Sequence, residues 1–182
     1  MTSTVRKPDP PMFEPDAWQL SEQERNLASL ARDIGQNKIA DRAAEYDRNA
    51  AFPVDNYRDM FNAGLMGICI PKEYGGHGLD LRGYAVVAAE IGRYCGSTAL
   101  TWNMHVCSCL WSGALTDDLD MDEVDRKRHR MNRAVHYRRI LDEGAIYSQP
   151  FSEGGAAAAG AAAFGTTALK APGGWWVNGK KI

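Results

Sequence analysis

The sequence has no apolar run of the roughly 18 residues that a membrane-spanning helix needs, so it predicts no bilayer span. It also lacks a strong charge of either sign: a formal net charge of -2 over 182 residues gives neither a nucleic acid nor an anionic membrane surface an electrostatic hold. Cysteine is scarce. Cys69, Cys95, Cys107 and Cys109 sit within apolar patterns and form no CxxC pair, which predicts reduced core residues rather than a disulfide framework. His105 and Cys109 share a helix face at i, i+4, but two ligands are too few for a zinc site. The opening MTSTVRKPDPPMFEPD is proline-rich and has no apolar core of a secretory signal. Residues 1–19 therefore read as a loose arm, and the protein as cytoplasmic.

What is present centres on residues 71–100, PKEYGGHGLDLRGYAVVAAEIGRYCGSTAL. Pro71 favours an extended approach, and the glycines of Tyr74-Gly75-Gly76-His77-Gly78 supply the backbone freedom for a turn. From Leu81 the apolar residues Tyr84, Val87, Ala88, Ile91 and Cys95 recur at helical spacing, leaving Glu90 and Arg93 nearer the polar side. Gly96 breaks that helix, and Ser97 is placed to cap another, running from Thr98 to about Ser112. This second helix is apolar around most of its circumference and belongs inside a bundle. Thr98, Thr101, Trp102 and His105 nevertheless share one stripe, at i, i+3, i+4 and i+7. Such a stripe either hydrogen-bonds to its neighbours or lines a cavity.

Ahead of that stretch, Ser21-x-x-Glu24 forms a capping box that opens a first helix. Leu27, Leu30, Ala31 and Ile34 make its apolar stripe, which Ala40, Ala43 and Ala44 resume after a lapse at Gly35. A shorter helix follows Asp55, with Tyr57, Met60, Phe61 and Leu65 on its inner face. Further on, Asp120-x-x-Glu123 predicts another helix start. Seven Lys or Arg residues lie between positions 126 and 139. They read as the solvated side of a helix whose apolar face is Val124, Met131 and Val135, not as a phosphate or nucleic-acid site.

At Gly144 helix gives way to sheet. Residues 145–147 are β-compatible, and 164–169 and 175–177 read as strands. Asn178-Gly179 predicts a type I′ hairpin turn. A second strand made only of Lys180-Lys181-Ile182 would leave Trp175 and Trp176 on an unpaired edge. The expectation is an N-terminal piece of a longer protein whose β-domain is barely begun.

Three local patterns, in this order, resemble the acyl-CoA dehydrogenase family of flavoproteins. They are Pro71-Lys72-Glu73-Tyr74-Gly75-Gly76-x-Gly78-Leu79-Asp80; Ala89-Glu90-Ile91-Gly92-Arg93 followed by Ser97-Thr98-Ala99-Leu100; and Val177-Asn178-Gly179-x-Lys181. The resemblance runs from about Leu27 onward. It implies a mainly α chain: a helical N-terminal domain of acyl-CoA dehydrogenase type over residues 20–143, then the first strands of a truncated β-barrel domain over 144–182. It further implies FAD, a homotetramer at full length, an electron-transfer partner or reductase, and oxidation of an acyl-CoA thioester at its α,β carbons. The family's catalytic base would lie in a C-terminal bundle, so the resemblance assigns no catalytic residue here and implies that this piece alone is inactive.

Two binding sites are implied within these residues. The helix bearing Thr98, Thr101, Trp102 and His105 is similar to the one that lines the family's acyl cavity. The segment containing Tyr147, Gln149, Phe151 and Ser152 is similar to the family's flavin-contacting strand, with Ser152-Glu153 standing for Thr-Glu. Where the family then has Gly-Ser-Asp, this sequence has Ala156 to Ala159 and Gly160. That departure, with the bulk of Trp102, leaves open a flavin-dependent monooxygenase of the same fold. A third reading is a non-catalytic helical interaction module that docks through Trp175 and Trp176.

Overall fold

The computed structural model of the chain describes residues 7–154 and 163–181. By its packing the chain divides into two units, one ending at Tyr147 and the other beginning at Ser148. The first is helical. It comprises α1 (Glu22–Ile34), α2 (Ala40–Arg48), α3 (Val54–Asn62), α4 (Leu81–Gly92), α5 (Gly96–Ser112), the short α6 (Ala114–Asp117) and α7 (Glu123–Glu143). The second contains a hairpin of β1 (Thr167–Ala171) and β2 (Gly174–Asn178). This is the mainly helical architecture that the sequence pattern predicts, with an antiparallel pair at its end.

The capping box forms as expected. Ser21 Oγ accepts from the Glu24 N–H, and the Glu24 carboxylate accepts from the Ser21 N–H at 2.7 Å. The lapse at Gly35 is a π-helical stretch, Gly35–Ile39, inserted between α1 and α2. Glycine is required there, because a Cβ at position 35 would lie 2.1 Å from the Tyr94 ring. α1 packs on α4 and α4 on α5. The core they enclose includes Leu27, Ile34, Met60, Leu65, Ile68, Ile91, Trp102 and Val106. In the glycine-rich turn Gly75 takes φ 93°, and a side chain on Gly76 would place its Cβ 2.2 Å from the Ile70 carbonyl oxygen. The turn folds back so closely on Ile70 that only hydrogen fits.

Several expectations give way to tertiary packing. Glu90 is buried rather than on a polar side, because Arg32 Nη2 (3.1 Å) and the Met12 N–H (2.8 Å) converge on its carboxylate and Arg93 stands at 3.5 Å. The described part of the N-terminal arm is tied down by the same region: Tyr94 donates to Asp9, Arg93 to the Pro10 carbonyl, and Gln36 to the Lys7 carbonyl. α5 starts at Gly96, with the Cys95 thiol rather than Ser97 accepting at its N-terminus. α7 is capped by Asp122, not Asp120.

The face that α7 buries is Arg133, Tyr137 and Ile140, while Val124, Met131 and Val135 are exposed. The polar residue at the centre of that buried face is paid for by its partners. Arg133 donates to Asp117 at 2.6 Å and to the Tyr74 hydroxyl at 3.0 Å, and its guanidinium lies over the Tyr74 ring.

In the second unit the hairpin turns at Pro172-Gly173, with Gly173 at φ 81°, and Ala171 pairs with Gly174. Asn178-Gly179 follows β2 instead of joining two strands. Proline pre-sets the backbone for the first central turn position and glycine accepts the positive φ of the second, so the Pro-Gly pair takes the turn. Residues 145–147 form no strand. Both faces of the hairpin are open, with Leu169, Trp175, Trp176 and Val177 exposed. The Ala156–Gly160 departure lies outside the described residues.

Candidate functional site

The four stripe residues of α5 do converge, but on the interior of the helical unit. Thr98, Trp102 and His105 are fully buried. The Thr98 hydroxyl accepts from Asn56 Nδ2 at 2.9 Å, and Asn56 Oδ1 in turn accepts from Arg42, which pairs with Asp59. This polar string joins α5 to α3 and α2. Thr101 donates back to the Ser97 and Thr98 carbonyls of its own helix. Trp102 packs against Tyr84, their ring centroids 5.6 Å apart, and its Nε1 is buried without a hydrogen-bond partner.

His105 uses both ring nitrogens. Nε2 lies 3.0 Å from the Met66 carbonyl oxygen, and Nδ1 lies 3.1 Å from the Tyr147 N–H. A carbonyl needs a donor and an N–H needs an acceptor, so the ring is the neutral Nε2–H tautomer. Burial pushes its pKa below the ordinary histidine value, in the direction this bonding requires. The hydrogen-bonding groups of Thr98, Thr101 and His105 are thus engaged within the helical unit. Thr98 and His105 tie α5 to neighbouring segments, Thr101 bonds to its own helix, and the Trp102 indole N–H is buried without a partner.

α5 buries Thr98 and His105 together with the apolar Trp102, Val106 and Cys109, while on its outward side Leu100 is 64% and Trp111 47% exposed. On that side Cys107, Leu110 and Trp111 form one wall of a groove of about 640 Å³. Cys69, Pro71, Leu79 and Leu81 contribute to the facing wall. A smaller cavity of about 110 Å³ lies where α5, α7 and Tyr147 meet, with Ser108, Ser112, His136 and Tyr137 among its lining. There the Tyr147 hydroxyl is 2.7 Å from His136 Nδ1, so Tyr147 is fixed at its backbone by one histidine and at its phenol by another. Spacing along the chain gave no sign of the groove, since its walls come from separate segments and each reads as ordinary apolar sequence.

Of the residues expected to contact flavin, Tyr147 closes the first unit, whereas Gln149, Phe151 and Ser152 belong to the second. Within that second unit the organising side chain is Glu153. Its carboxylate accepts from the Gly165 N–H (2.6 Å), the Thr166 N–H (3.1 Å) and Lys181 Nζ (2.7 Å), and also from the Thr166 hydroxyl. Lys181, followed by Thr166, draws its pKa down to about 2. The clamp ties the segment before the alanine run to the strand after it and to the Asn178-Gly179-Lys180-Lys181 end. Ser152, next to it, is exposed, and Phe151 meets Phe164 edge-on at 6.0 Å.

Glu153 was legible only as half of a Ser-Glu pair; its partner Lys181 is the lysine of the Asn-Gly-x-Lys pattern. We expect Glu153→Gln to weaken the clamp at every pH, because the amide NH2 must face a donor that a carboxylate oxygen had accepted from, and to remove its acid sensitivity. The carboxylate's contribution is complete above its ordinary value of 4.5 and is lost as pH falls toward about 2. Protection of the Gly165 and Thr166 amides, taken relative to the intrinsic exchange rate at each pH, should fall over that window in the unsubstituted protein and stay level in the variant.

Comparison with known proteins places this geometry. The family model described as "Acyl-CoA dehydrogenase, N-terminal domain" matches residues 21–114, which is half of the chain. The chain belongs to the acyl-CoA dehydrogenase family. Among relatives, it is 35% identical over 85 residues to the probable acyl-CoA dehydrogenase YngJ of Bacillus subtilis, covering 47% of this chain and 22% of that protein. It is 43% identical over 83 residues to cyclohex-1-ene-1-carbonyl-CoA dehydrogenase of Syntrophus aciditrophicus, covering 45% of this chain and 20% of that one. The chain thus matches about a fifth of the length of these family members.

Among solved structures, the nitrososynthase of Micromonospora carbonacea var. africana superposes with a TM-score of 0.68 at 23% identity, over 90% of this chain and 38% of that one. KijD3, solved in complex with FMN and a dTDP-linked amino-keto sugar, gives a TM-score of 0.59 at 30% identity over 70% of this chain and 30% of its own. Among the described residues, no helix is long and apolar enough to cross a membrane.

Proposed function

We propose that this chain supplies the N-terminal domain and the opening of the flavin-binding region of a flavin-dependent acyl-CoA dehydrogenase, with FAD as the flavin. The observation that carries the reading is the family match over residues 21–114 followed, in the second unit, by an exposed Ser152 beside the clamped Glu153. These residues fit a flavin. Ser152 offers a hydroxyl to a ring edge, the Phe151–Phe164 pair offers an apolar surface, and the charge of Glu153 is neutralised by Lys181 so that it does not repel an electron-rich ring. A bound flavin would supply the hydride acceptor for α,β-oxidation of a thioester. The chain's own part is to hold that segment in place, and none of its carboxylates is proposed as the proton-removing base. An electron-transfer partner and a homotetramer belong to this proposal.

The test is anaerobic titration of the full-length flavoprotein with a series of acyl-CoA thioesters. We expect flavin absorption to bleach with at least one of them. A bound flavin that no acyl-CoA reduces would overturn the substrate assignment.

The likeness to the nitrososynthase and to FMN-bound KijD3 favours a second reading, a flavin-dependent monooxygenase on this fold. Steady oxygen consumption with supplied reduced flavin, and no acyl-CoA reduction, would select it.

A further inference from the structure

The outward face of α7 is not used by any reading given so far. Sequence spacing sends Val124, Met131 and Val135 inward, yet the helix buries Arg133, Tyr137 and Ile140 instead. The three apolar residues are left 72%, 63% and 52% exposed. With Arg128 and Arg138 they form one row, at positions 124, 128, 131, 135 and 138, in alternating steps of four and three. That is the spacing of the seam along which one helix packs on another in a coiled coil. Over the first half of the row Val124 and Met131 line a shallow hollow together with Lys127 and Arg128.

The charge around this row has one sign. Positions 126–139 hold seven Lys or Arg residues and no Asp or Glu. Three of the cations are committed: Arg126 donates to the Asp117 and Leu119 carbonyls, Arg128 pairs with Asp125, and Arg133 is buried against Asp117. Lys127, Arg130, Arg138 and Arg139 are exposed, and among the described residues no carboxylate pairs with them. At about 100° per residue, Lys127 and Arg130 fall on one flank of the row and Arg139 on the other.

We propose that this face of α7 docks an acidic amphipathic helix of another protein, its apolar row against Val124, Met131 and Val135 and its Asp or Glu residues against Lys127, Arg138 and Arg139. Charge complementarity selects that occupant. A second copy of α7, running in either direction, would set the same cationic stretch against itself. A bilayer surface is a poorer match, because two valines and a methionine interrupted by Arg128 and Arg138 bury little apolar area in it.

The test is fluorescence anisotropy of a labelled peptide of about three heptads, with Leu at a and d and Glu at e and g, titrated with the full chain. It involves no flavin or acyl-CoA chemistry, so its failure is separable from failure of the dehydrogenase reading. Saturable binding is expected, weakening as salt is raised. The same peptide with Lys at e and g, or with a central proline that breaks its helix, should not bind. Met131→Glu should weaken binding at least tenfold by placing a carboxylate in the seam, and Arg138→Glu by about tenfold. Both positions are exposed, so neither change touches the core. Replacing Lys127, Arg138 and Arg139 together by Glu should reverse the preference, so that the Lys peptide binds and the Glu peptide does not. Equal affinity for the two peptides, no saturable binding, or binding that survives Met131→Glu would overturn the proposal. So would self-association of the chain that Met131→Glu abolishes, or binding to anionic phospholipid vesicles in place of the acidic peptide.

Discussion

Replacing Trp102 with alanine will destabilise the helical unit by about 3–5 kcal/mol, the cost of emptying an aromatic site that cannot collapse. The side chain is fully buried, stacked near Tyr84 and surrounded by the main core. A fall in Tm of roughly 10 °C or more should accompany it. Trp102→Phe separates packing from polarity. It retains most of the ring and deletes an indole N–H that is buried without a partner, so its net cost should stay under about 1.5 kcal/mol. If thermal melts found the two variants equally damaging, the indole N–H would have to be engaged, and the account of an unpartnered donor in the core would fail.

The second large effect is expected at His105. Its replacement by leucine strands the Met66 carbonyl and the Tyr147 N–H in a buried place, which should cost about 2–4 kcal/mol. The pH dependence identifies the cause. Burial lowers the His105 pKa from the ordinary 6.5. Below that value the unfolded chain therefore takes up a proton that the folded ring refuses. Proton uptake by the unfolded state makes stability rise with pH. The His105 contribution is thus complete above pH 6.5 and declines as the solution is acidified below it. Denaturant unfolding of the unsubstituted protein and of His105→Leu, compared across pH 5 to 8, should converge on the acid side and run parallel above pH 6.5. Parallel curves over the whole range would mean that the folded ring takes up a proton as readily as the unfolded one, and the account of burial lowering its pKa would fail.

How much of this could be read from the chain depends on how far away each residue's partners lie. The Ser21–Glu24 box was legible because both members sit within one turn. The α5 stripe was legible as a stripe, since spacing alone puts Thr98, Trp102 and His105 on one face. Which way it points was not, because the groups that answer it, Asn56 and Met66, lie 42 and 39 residues away in sequence. The same limit explains Glu90, whose burial rests on Arg32 and Met12. In the hairpin two glycine-containing turn signals stand close together, and cross-strand pairing decided for Pro172-Gly173. The groove had no local signature at all: it exists only where α5 meets a loop that precedes it by a whole helix.

The π-helical insertion at Gly35–Ile39 gives the first unit a dependence on residue number as well as residue type. One residue more or less in a helix rotates everything beyond it by about 100° about the axis. With the insertion in place, Arg42 and Lys38 both meet Asp59. A single deletion among these residues would leave every downstream side chain chemically unchanged and aim it at a different neighbour.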